Sequence, residues 1–325
     1  MAHQRSLMNV SVIIPAYNAS NTIKETLDSV LCQSALPEEI LVLDDGSTDN
    51  TASIVGSFGP RVTLLTGNHD GAAAARNLLC GRARNELVAF LDADDVWHSR
   101  YLEFQLRVFQ KYPPAVASFF GHVNFHGYGN WRWETDPSAD DLGSESMTPL
   151  EFLERYNHAP GPFSSMSYCC IPRQILRELG EEPFQANGAE DSYLFNLLPL
   201  FGSVIYSPSP LVAYRVTNES LSSDRLMCIG ARVKAFELLQ SRYETQSALN
   251  LRPAFWKAFA SHRRLYSKLL MSASRTAEAR RQLRRSFDNC SYPQSVAKSL
   301  ALLLLSYLPG PLQPNRSSAL LRRNI

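Results

Sequence analysis

One stretch near residue 90 limits what this chain can fold into more than any other. Residues 87–91 form a continuous apolar run, which is typical of a strand buried on both faces of a mostly parallel sheet. The run ends on three carboxylates, Asp92, Asp94 and Asp95. Because open α/β sheets bind ligands beyond the carboxyl ends of their strands, these acids predict the position of a site.

The spacing of the first two acids predicts a metal site. In extended backbone Asp92 and Asp94 point to the same side of the chain and lie close enough to share one cation. Clustered carboxylate oxygens suit a hard divalent ion, Mg²⁺ or Mn²⁺, above all one that substrate phosphates also hold. The same acids fit a loop that caps the helix predicted near residue 99, and D-x-D alone does not separate the two interpretations.

The chain has 325 residues, of which 45% are hydrophobic and 19% charged, as expected for a globular protein of one large or two smaller domains. Its net charge of +1 conceals an asymmetry. Residues 226–325 carry 17 Lys and Arg against 4 Asp and Glu, so the rest of the chain is acidic. A basic C-terminal part indicates a surface that faces something anionic.

The N-terminal residues and the cysteines predict a cytoplasmic protein. The first nine residues lack the apolar core of a signal peptide. The six cysteines show no C-x-x-C spacing and stand mostly in apolar surroundings, which favours reduced thiols in a reducing compartment.

Strand and helix patterns alternate from residue 10 to residue 120, which predicts a doubly wound α/β domain with helices on both faces of a mostly parallel sheet. The predicted strands are residues 10–14, 40–43, 62–65, 87–91 and 115–120. Residues 121–147 are predicted to form a long surface loop, of the kind that serves as a lid or a binding surface.

The pattern is less regular after that loop. Helices are predicted over 148–156 and 172–178 and from Glu190, with strands over 164–171, 204–206 and 211–216. Residues 226–285 are predicted to be helical, with basic and apolar residues mixed.

A second acid cluster, Asp-Asp-Gly-Ser-Thr-Asp at residues 44–49, follows the second predicted strand. Two parallel strands that end in acids can face one crevice, where one set binds the base and ribose of a nucleotide and the other holds a metal on its diphosphate. The chain contains neither G-x-G-x-x-G nor G-x-x-x-x-G-K-[ST], which excludes the usual dinucleotide fold and the P-loop.

Four ordered motifs resemble those of family 2 glycosyltransferases. They are Val-Ile-Ile-Pro-Ala-Tyr-Asn at 12–18, the acids of 44–49, Gly71 to Arg76-Asn77, and Phe-Leu-Asp-Ala-Asp-Asp at 90–95. The resemblance covers about residues 10–220. It implies a GT-A fold that uses nucleotide-diphosphate sugars. It divides the chain into a catalytic domain (1–225, with a nucleotide-binding half at 8–120 and an acceptor half at 121–225) and a basic helical extension (226–325).

The resemblance also implies roles for single residues. The nucleotide-binding set would be Pro15, Tyr17, Asn18, Asp44, Asp45, Arg76, Asp92, Ala93 and Arg215. Asp94, with Asp92 beside it, would hold Mn²⁺ or Mg²⁺. Each residue has a structural alternative, such as a strand-end proline, a capping aspartate or, for Arg215, a framework arginine.

The family carries a catalytic base in a Glu-Asp pair about a hundred residues after the metal motif, and Glu190-Asp191 stands at that place. The resemblance implies that Asp191 is the general base and Glu190 its supporting neighbour. An acceptor hydroxyl needs such a group because it is a poor nucleophile until a carboxylate begins to take its proton. The alternative is a pair of acids that favours the first turn of a helix.

The expected function is therefore a metal-dependent, inverting transfer of one sugar, with a UDP-sugar favoured as donor. The acceptor would be a glycan or a lipid-linked glycan of a bacterial surface polysaccharide, and no nucleic-acid partner is expected. The Gln-x-x-Arg-Trp motif of processive synthases is absent, which favours single addition. The alternatives are a sugar nucleotidyltransferase, whose glycine-rich loop is missing after residue 14, and a catalytically silent nucleotide-binding scaffold.

Two pairs of residues in the long predicted loop leave alternatives open. His122 and His126 have a spacing seen in zinc sites, but no second ligand pair accompanies them. Trp131 and Trp133 could stack on an acceptor sugar or pin the long loop to the core.

The apolar run at 299–308 is too short to span a bilayer. It either lies in the interface at the inner face of the cell membrane or packs on the catalytic domain, and its basic flanks, which include Arg316, Arg322 and Arg323, favour the first.

Overall fold

The computed structural model describes residues 8–128, 131–133, 143–158, 161–217, 224–245, 248–287 and 293–307. Within these ranges the strands are β1 (Val10–Ala16), β2 (Glu39–Asp44), β3 (Thr63–Thr66), β4 (Leu87–Phe90), β5 (Val96–Trp97), β6 (Ala117–Phe125), β7 (Glu145–Met147), β8 (Cys169–Pro172) and β9 (Val204–Arg215). They form one sheet in the order β3-β2-β1-β4-β8-β6-β9-β5, with β7 also paired to β9.

The helices of the described residues are α1 (Ile23–Leu31), α2 (Thr51–Gly56), α3 (Ala72–Arg82), α4 (Tyr101–Lys111), α5 (Pro149–His158), α6 (Arg173–Leu179), α7 (Glu190–Leu197), α8 (Arg225–Tyr243), α9 (Arg252–Ser272), α10 (Thr276–Arg285) and α11 (Pro293–Leu305). The predicted α/β class is confirmed, as is the helical nature of the C-terminal region.

The sheet is parallel where strands and helices alternate most regularly in the sequence. β3, β2, β1 and β4 all pair in parallel, so their carboxyl ends meet at one edge. Beyond β4 the sheet is mixed, because β8 pairs antiparallel with both β4 and β6. Strands β2 and β4 are buried at every position, which explains their continuous apolar runs.

Three predicted strands are parts of two longer ones. β6 continues through Gly121 to Phe125, where a surface loop was expected, and the two strands predicted near residues 204 and 211 are one strand, β9. The β6–β9 register shifts on both sides of Gly121, opposite the Pro-Ser-Pro segment of β9. A side chain at Gly121 would overlap the carbonyl of Pro208, so glycine allows the close approach that keeps both strands paired.

The strand expected over residues 164–171 begins only at Cys169. Residues Met166–Tyr168 form a 3₁₀ turn, and the Ser165 hydroxyl accepts a hydrogen bond from the Ser167 amide at its start. This turn brings two serines to the end of β4, where the acids stand.

The C-terminal helices share one hydrophobic core with the sheet domain. α8 packs on α7, and α9 packs on α5 and α8. Phe236 of α8 is buried and contacts the rings of Phe255 and Phe259 of α9, with centroids 5.2 Å away in each case. The Tyr243 hydroxyl donates to the carbonyl of Asn196 in α7. The extension is therefore packed against the half of the chain that carries Glu190 and Asp191.

No helix in the described part of the chain is long and apolar enough to cross a membrane. The cysteines that the structure describes are free thiols, in agreement with the expectation of reduced cysteines.

We expect Phe236→Ala to lower the free energy of unfolding by about 3–5 kcal/mol, because it leaves a cavity between three packed rings. Chemical denaturation followed by circular dichroism measures the change. Leu238→Ala on the same helix is the matched control, since Leu238 is 37% exposed and its truncation should cost well under half as much. Equal losses in the two variants would show that α8 is not anchored through Phe236.

Candidate active site

The candidate site lies at the edge where β1, β2, β3 and β4 end. Polar segments follow each of these strands: residues 17–20 after β1, 45–50 after β2, 67–71 after β3 and 92–95 after β4. Parallel pairing therefore gathers both acid clusters at one edge, as the sequence predicted.

Asn18 connects the segment after β1 to the segment after β2. Its backbone has a positive φ of 47°, which asparagine tolerates better than most residues. Its side-chain oxygen accepts from the Thr48 amide at 2.9 Å, and its own amide donates to the Ser47 hydroxyl at 2.9 Å. Asp44 is buried and accepts from the Ser47 amide at 3.2 Å. These two predicted site residues thus hold the loop of residues 44–49 in shape.

Asp45 fixes the entry to α3. Its carboxylate is buried and accepts from the amides of Asp70 at 3.1 Å and Gly71 at 2.8 Å. A Cβ on Gly67 would come within 2.6 Å of the Asp45 carboxylate, so this crossing requires glycine. Through these contacts Asp45 sets the position of α3 and therefore of Arg76, which lies on that helix.

Tyr17 and His69 form an aromatic surface beside these loops. Tyr17 is 45% exposed, and its ring stacks on that of His69 with centroids 4.1 Å apart. Pro15, at the end of β1, is partly buried beneath the loop that starts at Tyr17. An exposed pair of flat rings suits stacking against a nucleobase. His69 was not among the predicted residues, because a lone histidine in a loop carries no motif.

Arg76 of α3 joins the two acid groups of the site. One guanidinium nitrogen contacts Asp92 at 2.6 Å and another contacts Glu190 at 2.6 Å, while the side chain is only 7% exposed. Burial by itself lowers the pKa of Arg76, but the charges of Asp92 and Glu190 outweigh it and raise that pKa. The Arg76 Nε is buried without a partner among the described residues.

Hydroxyl groups hold the turn that follows β4. Ser165 donates to the second oxygen of Asp92 at 3.1 Å, and the Asp92 amide donates to the Ser167 hydroxyl at 3.0 Å. Thr26 of α1 donates to the carbonyls of Ala93 at 3.0 Å and Asp95 at 2.9 Å. No sequence pattern predicted a role for Thr26, Ser165 or Ser167, because these residues come from distant parts of the chain.

Asp94 and Asp95 lie in different surroundings within this turn. Asp95 is fully buried and accepts from the Arg215 amide at 2.9 Å. Burial, with Asp94 and Asp92 nearby, raises its pKa. Asp94 is partly buried, and its carboxylate makes no hydrogen bond or ion pair with another side chain of the described residues. Burial first and the charge of Asp92 second raise the pKa of Asp94 to about 6.

Arg215 at the end of β9 is a buried framework residue in this structure. Its guanidinium donates to the Asp94 carbonyl at 2.7 Å, to Glu25 at 2.6 Å and to the Gly127 carbonyl. It also lies 4.3 Å from the centre of the Phe125 ring. These contacts favour the framework alternative that the sequence left open over direct contact with a nucleotide.

Glu190 and Asp191 begin α7 on the other side of Arg76. Glu190 accepts from the Gly188 amide at 3.0 Å with its second oxygen, and Asp191 accepts from the Ser192 amide at 2.6 Å. Burial raises the pKa of Asp191 to about 6, and the charge of Glu190 adds to this, while Arg232 and Arg76 oppose it. A carboxylate with a pKa near 6 is suited to act as a base at neutral pH.

A small polar cavity of about 20 Å³ lies behind α7, large enough for about one water molecule. It is lined by Tyr156, Asn157, Ser192, Asn196, Arg232, Phe236 and His262. Arg232 belongs to α8, so the basic extension supplies a positive charge close to Asp191. No sequence pattern singled out Arg232 among the many arginines of that region.

The tryptophans of the long loop pack inward. Trp131 and Trp133 pack against Val96, Phe125 and Ala213, and the Trp131 amide donates to Glu25 at 2.8 Å. These contacts favour the alternative in which they pin the loop to the core.

The two histidines considered for zinc are poorly placed to share an ion. His122 lies in β6 and stacks on Tyr168, whereas His126 follows the end of that strand. Burial lowers the pKa of His122.

The donor set fits a cation only if a ligand completes its shell. No group of three or more His, Cys, Asp or Glu side chains that could hold a metal ion occurs in the described part of the chain. Arg76 and Ser165 already engage both oxygens of Asp92, so Asp94 is the better candidate ligand. Mg²⁺ is often held by one or two carboxylates together with substrate phosphates and water, which matches this arrangement.

Comparison with known proteins places the chain in one family. Residues 11–180 match the model of glycosyl transferase family 2. The chain is 33% identical over 233 residues to TuaG of Bacillus subtilis (strain 168), a glycosyltransferase provisionally assigned to teichuronic acid biosynthesis, and the match spans 66% of this chain and 82% of that protein.

A second relative matches more strongly over a shorter segment. The chain is 44% identical over 104 residues to the UDP-Glc:alpha-D-GlcNAc-diphosphoundecaprenol beta-1,3-glucosyltransferase WfgD of Escherichia coli. The match spans 31% of this chain and only 41% of WfgD.

Two solved structures share the fold. The mannosyltransferase PcManGT of Pyrobaculum calidifontis, in complex with GDP-Man and Mn²⁺, superposes with a TM-score of 0.58 at 21% identity over 94% of this chain and 82% of that one. TarS 1-349 of S. aureus, in complex with UDP-GlcNAc, gives a TM-score of 0.53 at 20% identity over 87% of this chain and 89% of that one. The predicted GT-A fold is confirmed.

We expect Arg215→Met to lower the free energy of unfolding by about 3 kcal/mol, because it leaves Glu25 and the turn of residues 94–95 without their buried partner. Thermal and denaturant unfolding measure the loss. Lys24→Met is the matched control: Lys24 is 71% exposed and pairs with an exposed Asp28, so its removal should change stability by at most about 0.5 kcal/mol. A loss no larger than that of the control would contradict the framework role.

Proposed function

The chain belongs to glycosyl transferase family 2, and from that premise we propose that it transfers one sugar from a UDP-sugar to a hydroxyl of an acceptor glycan. The acceptor is a glycan or a lipid-linked glycan in the synthesis of a bacterial surface polysaccharide. Support comes from WfgD, whose name gives a UDP-glucose donor and a diphosphoundecaprenol-linked acceptor, and from TuaG, which is provisionally assigned to teichuronic acid biosynthesis.

One observation carries the proposal: Arg76 contacts Asp92 and Glu190 at the same time, at 2.6 Å each. Asp92 belongs to the motif that the family uses for the donor, and Glu190 is the neighbour of the proposed base. A single buried side chain thus connects the donor side of the site to the acceptor side.

The donor nucleotide is proposed to lie across the loops that end β1, β2 and β3. Tyr17 stacked on His69 offers a surface for the base, and the loops held by Asn18, Asp44 and Asp45 form the walls beside it. The diphosphate then points along α3 toward residues 92–94. The Arg76 guanidinium, which contacts Asp92, places a positive charge at that end of the proposed diphosphate site.

Asp191 is proposed to accept the proton of the acceptor hydroxyl as that oxygen attacks the anomeric carbon. The bond from that carbon to the diphosphate oxygen breaks in the same displacement, so the configuration inverts. Glu190 positions the base and, through Arg76, connects it to the donor side. The partial burial of Asp191 keeps competing water away from the carboxylate.

Asp94 is the residue proposed to hold a divalent cation, Mn²⁺ or Mg²⁺, with Asp92 beside it. When bound, such an ion neutralises charge on the leaving diphosphate. Asp92, held by Arg76 and Ser165, keeps the turn in place for Asp94.

We expect calorimetric titration to show that UDP binds in the presence of Mn²⁺ or Mg²⁺, and more tightly than GDP or TDP. The Asp94→Ala variant should bind UDP at least tenfold more weakly with metal, because the cation loses its protein ligand, and should show no further effect of chelator. Asp70→Ala is a control, since the hydrogen bonds that join Asp70 to the site loops within the described residues use its backbone groups.

The outcomes of this titration differ in meaning. Tighter binding of GDP or TDP would correct the donor while leaving the transferase proposal in place. If none of the three nucleotides binds with or without metal, the nucleotide-binding role itself is wrong.

We expect Asp191→Asn to reduce kcat by about 10²–10⁴-fold while UDP affinity stays within about twofold, because a general base acts on the acceptor rather than on the nucleotide. In the unaltered chain, kcat/KM should rise with pH and level off above about pH 6, where Asp191 loses its proton. Loss of UDP affinity in Asp191→Asn would indicate a nucleotide-binding role instead.

Variants of the two charged residues beside Asp191 test its assignment as the base, because they should shift the pH profile in opposite directions. Glu190→Gln removes a negative charge and should move the midpoint of the pH profile down. Arg232→Gln removes a positive charge and should move it up. Arg242→Gln, an exposed arginine on the same helix as Arg232, should leave the midpoint unchanged.

A further inference from the structure

Helix α11 presents its serines to the protein and two of its five leucines to the outside. Ser295 and Ser299 are buried, as is Ser306 directly after the helix. By contrast, Leu300 is 47% exposed and Leu304 is 62% exposed, while the other leucines of the helix are partly buried. In the usual arrangement the apolar stripe of a surface helix faces the core, whereas here the most deeply buried positions are serines.

Two arginines fix α11 in this orientation. Arg264 of α9 donates to the Ser295 hydroxyl at 2.6 Å and to the Ser299 hydroxyl at 3.4 Å. Arg280 of α10 donates to the Ser306 carbonyl at 2.7 Å and to its hydroxyl at 3.3 Å. Turning the helix to bury Leu300 and Leu304 would break these hydrogen bonds to partly buried guanidinium groups, which opposes the rotation.

The outward side of α11 is a continuous apolar stripe. Ala297, Leu300, Ala301 and Leu304 are all exposed and stand three or four positions apart, so they share one face; we call these four residues the leucine face. No charged residue falls within the leucine face. Lys298 is exposed on one side of it.

A tyrosine between two arginines marks the end of the leucine face. Tyr307 is 53% exposed. The Arg280 guanidinium lies 3.9 Å from the centre of its ring, and Arg284 donates to its hydroxyl at 2.8 Å. Tyrosine and arginine beside exposed leucines are the residues found where a helix lies at a membrane surface.

We propose that the leucine face of α11 binds the surface of an anionic lipid bilayer, with the helix lying in the plane of the headgroups. The charge of the region supports this occupant: residues 226–325 carry 17 Lys and Arg against 4 Asp and Glu, and each basic residue near such a surface adds to binding. A helix of 13 residues is about 20 Å long, too short to cross the bilayer but long enough to lie along it.

A second copy of the chain fits this surface less well. A stable dimer buries about 800 Å² on each partner, which is more than two leucines and two alanines offer. A two-fold dimer at the leucine face would also bring the basic residues of the two copies close together, namely Lys298, Arg280 and Arg284. Their like charges would oppose the contact.

This inference does not depend on the proposed transfer reaction, because vesicle binding is measured without donor or acceptor. If the lipid binding and the transfer reaction are both correct, α11 brings the site to the surface where lipid-linked acceptors are found.

The test is flotation of the full chain with vesicles of phosphatidylcholine alone and of equal parts phosphatidylcholine and phosphatidylglycerol. We expect binding to the anionic vesicles that weakens as salt is raised. The double variant Leu300→Ser, Leu304→Ser should lower the partition coefficient at least about tenfold, since two half-exposed leucines no longer enter the interface. Leu36→Ser, a 69% exposed leucine in the sheet domain, is the matched control and should bind as the unaltered chain does.

Each other outcome overturns the proposal. Absence of binding to the anionic vesicles does so, as does equal binding by the double variant. A dimer in light scattering that the double variant converts to monomer would show that a second copy occupies the leucine face. A fall in melting temperature of more than about 3 °C in the double variant would show that another part of the chain covers these leucines.

Discussion

The candidate site depends on one buried ion pair cluster, in which Arg76 lies between Asp92 and Glu190. Asp92 ends a strand of the parallel half of the sheet, whereas Glu190 begins a helix that follows the mixed half. Asp92 and Glu190 both contact one guanidinium, so their ionised carboxylates would repel each other in this partly buried site. The positive charge of Arg76 offsets that repulsion. The same charge also holds Asp92 and Glu190 close to each other, and these residues belong to the proposed donor and acceptor sides of the site.

The contacts that each carboxylate makes decide which acids of the site are available for chemistry. Arg76 and Ser165 engage Asp92, and the Arg215 amide engages Asp95, so both carboxylates support the turn. Asp94 and Asp191 are the two whose pKa is raised to about 6, and burial is the first cause for each. A carboxylate whose ionised form is destabilised is stabilised most by a bound cation or by an added proton. As the proposed metal ligand Asp94 would receive a cation, and as the proposed general base Asp191 would receive a proton.

The C-terminal helices do more than cover the sheet domain. Phe236 and Tyr243 attach α8 to the half of the chain that carries α7, and Arg232 from the same helix lies close to Asp191. Their basic surface is spread over α9, α10 and α11. Arginines of α9 and α10 hold α11 so that Leu300 and Leu304 face outward. One region thus contributes to the core, to the electrostatics of the proposed base and to the surface that we propose binds lipid.

The sequence by itself determined the α/β class, the parallel strands and the edge at which the acids meet, because apolar runs and the acids that end them are local patterns. Its motifs also predicted Arg76 and Asp191 as site residues, which stays a prediction, and the order of those motifs identified the family. Only the tertiary structure decided that Arg76 joins Asp92 to Glu190, that Arg215 is buried beneath Asp94, and that Gly121 lets β6 and β9 run as long strands. The reason is physical: these features arise from contacts between residues far apart in the chain, and no local periodicity records which side chain meets which.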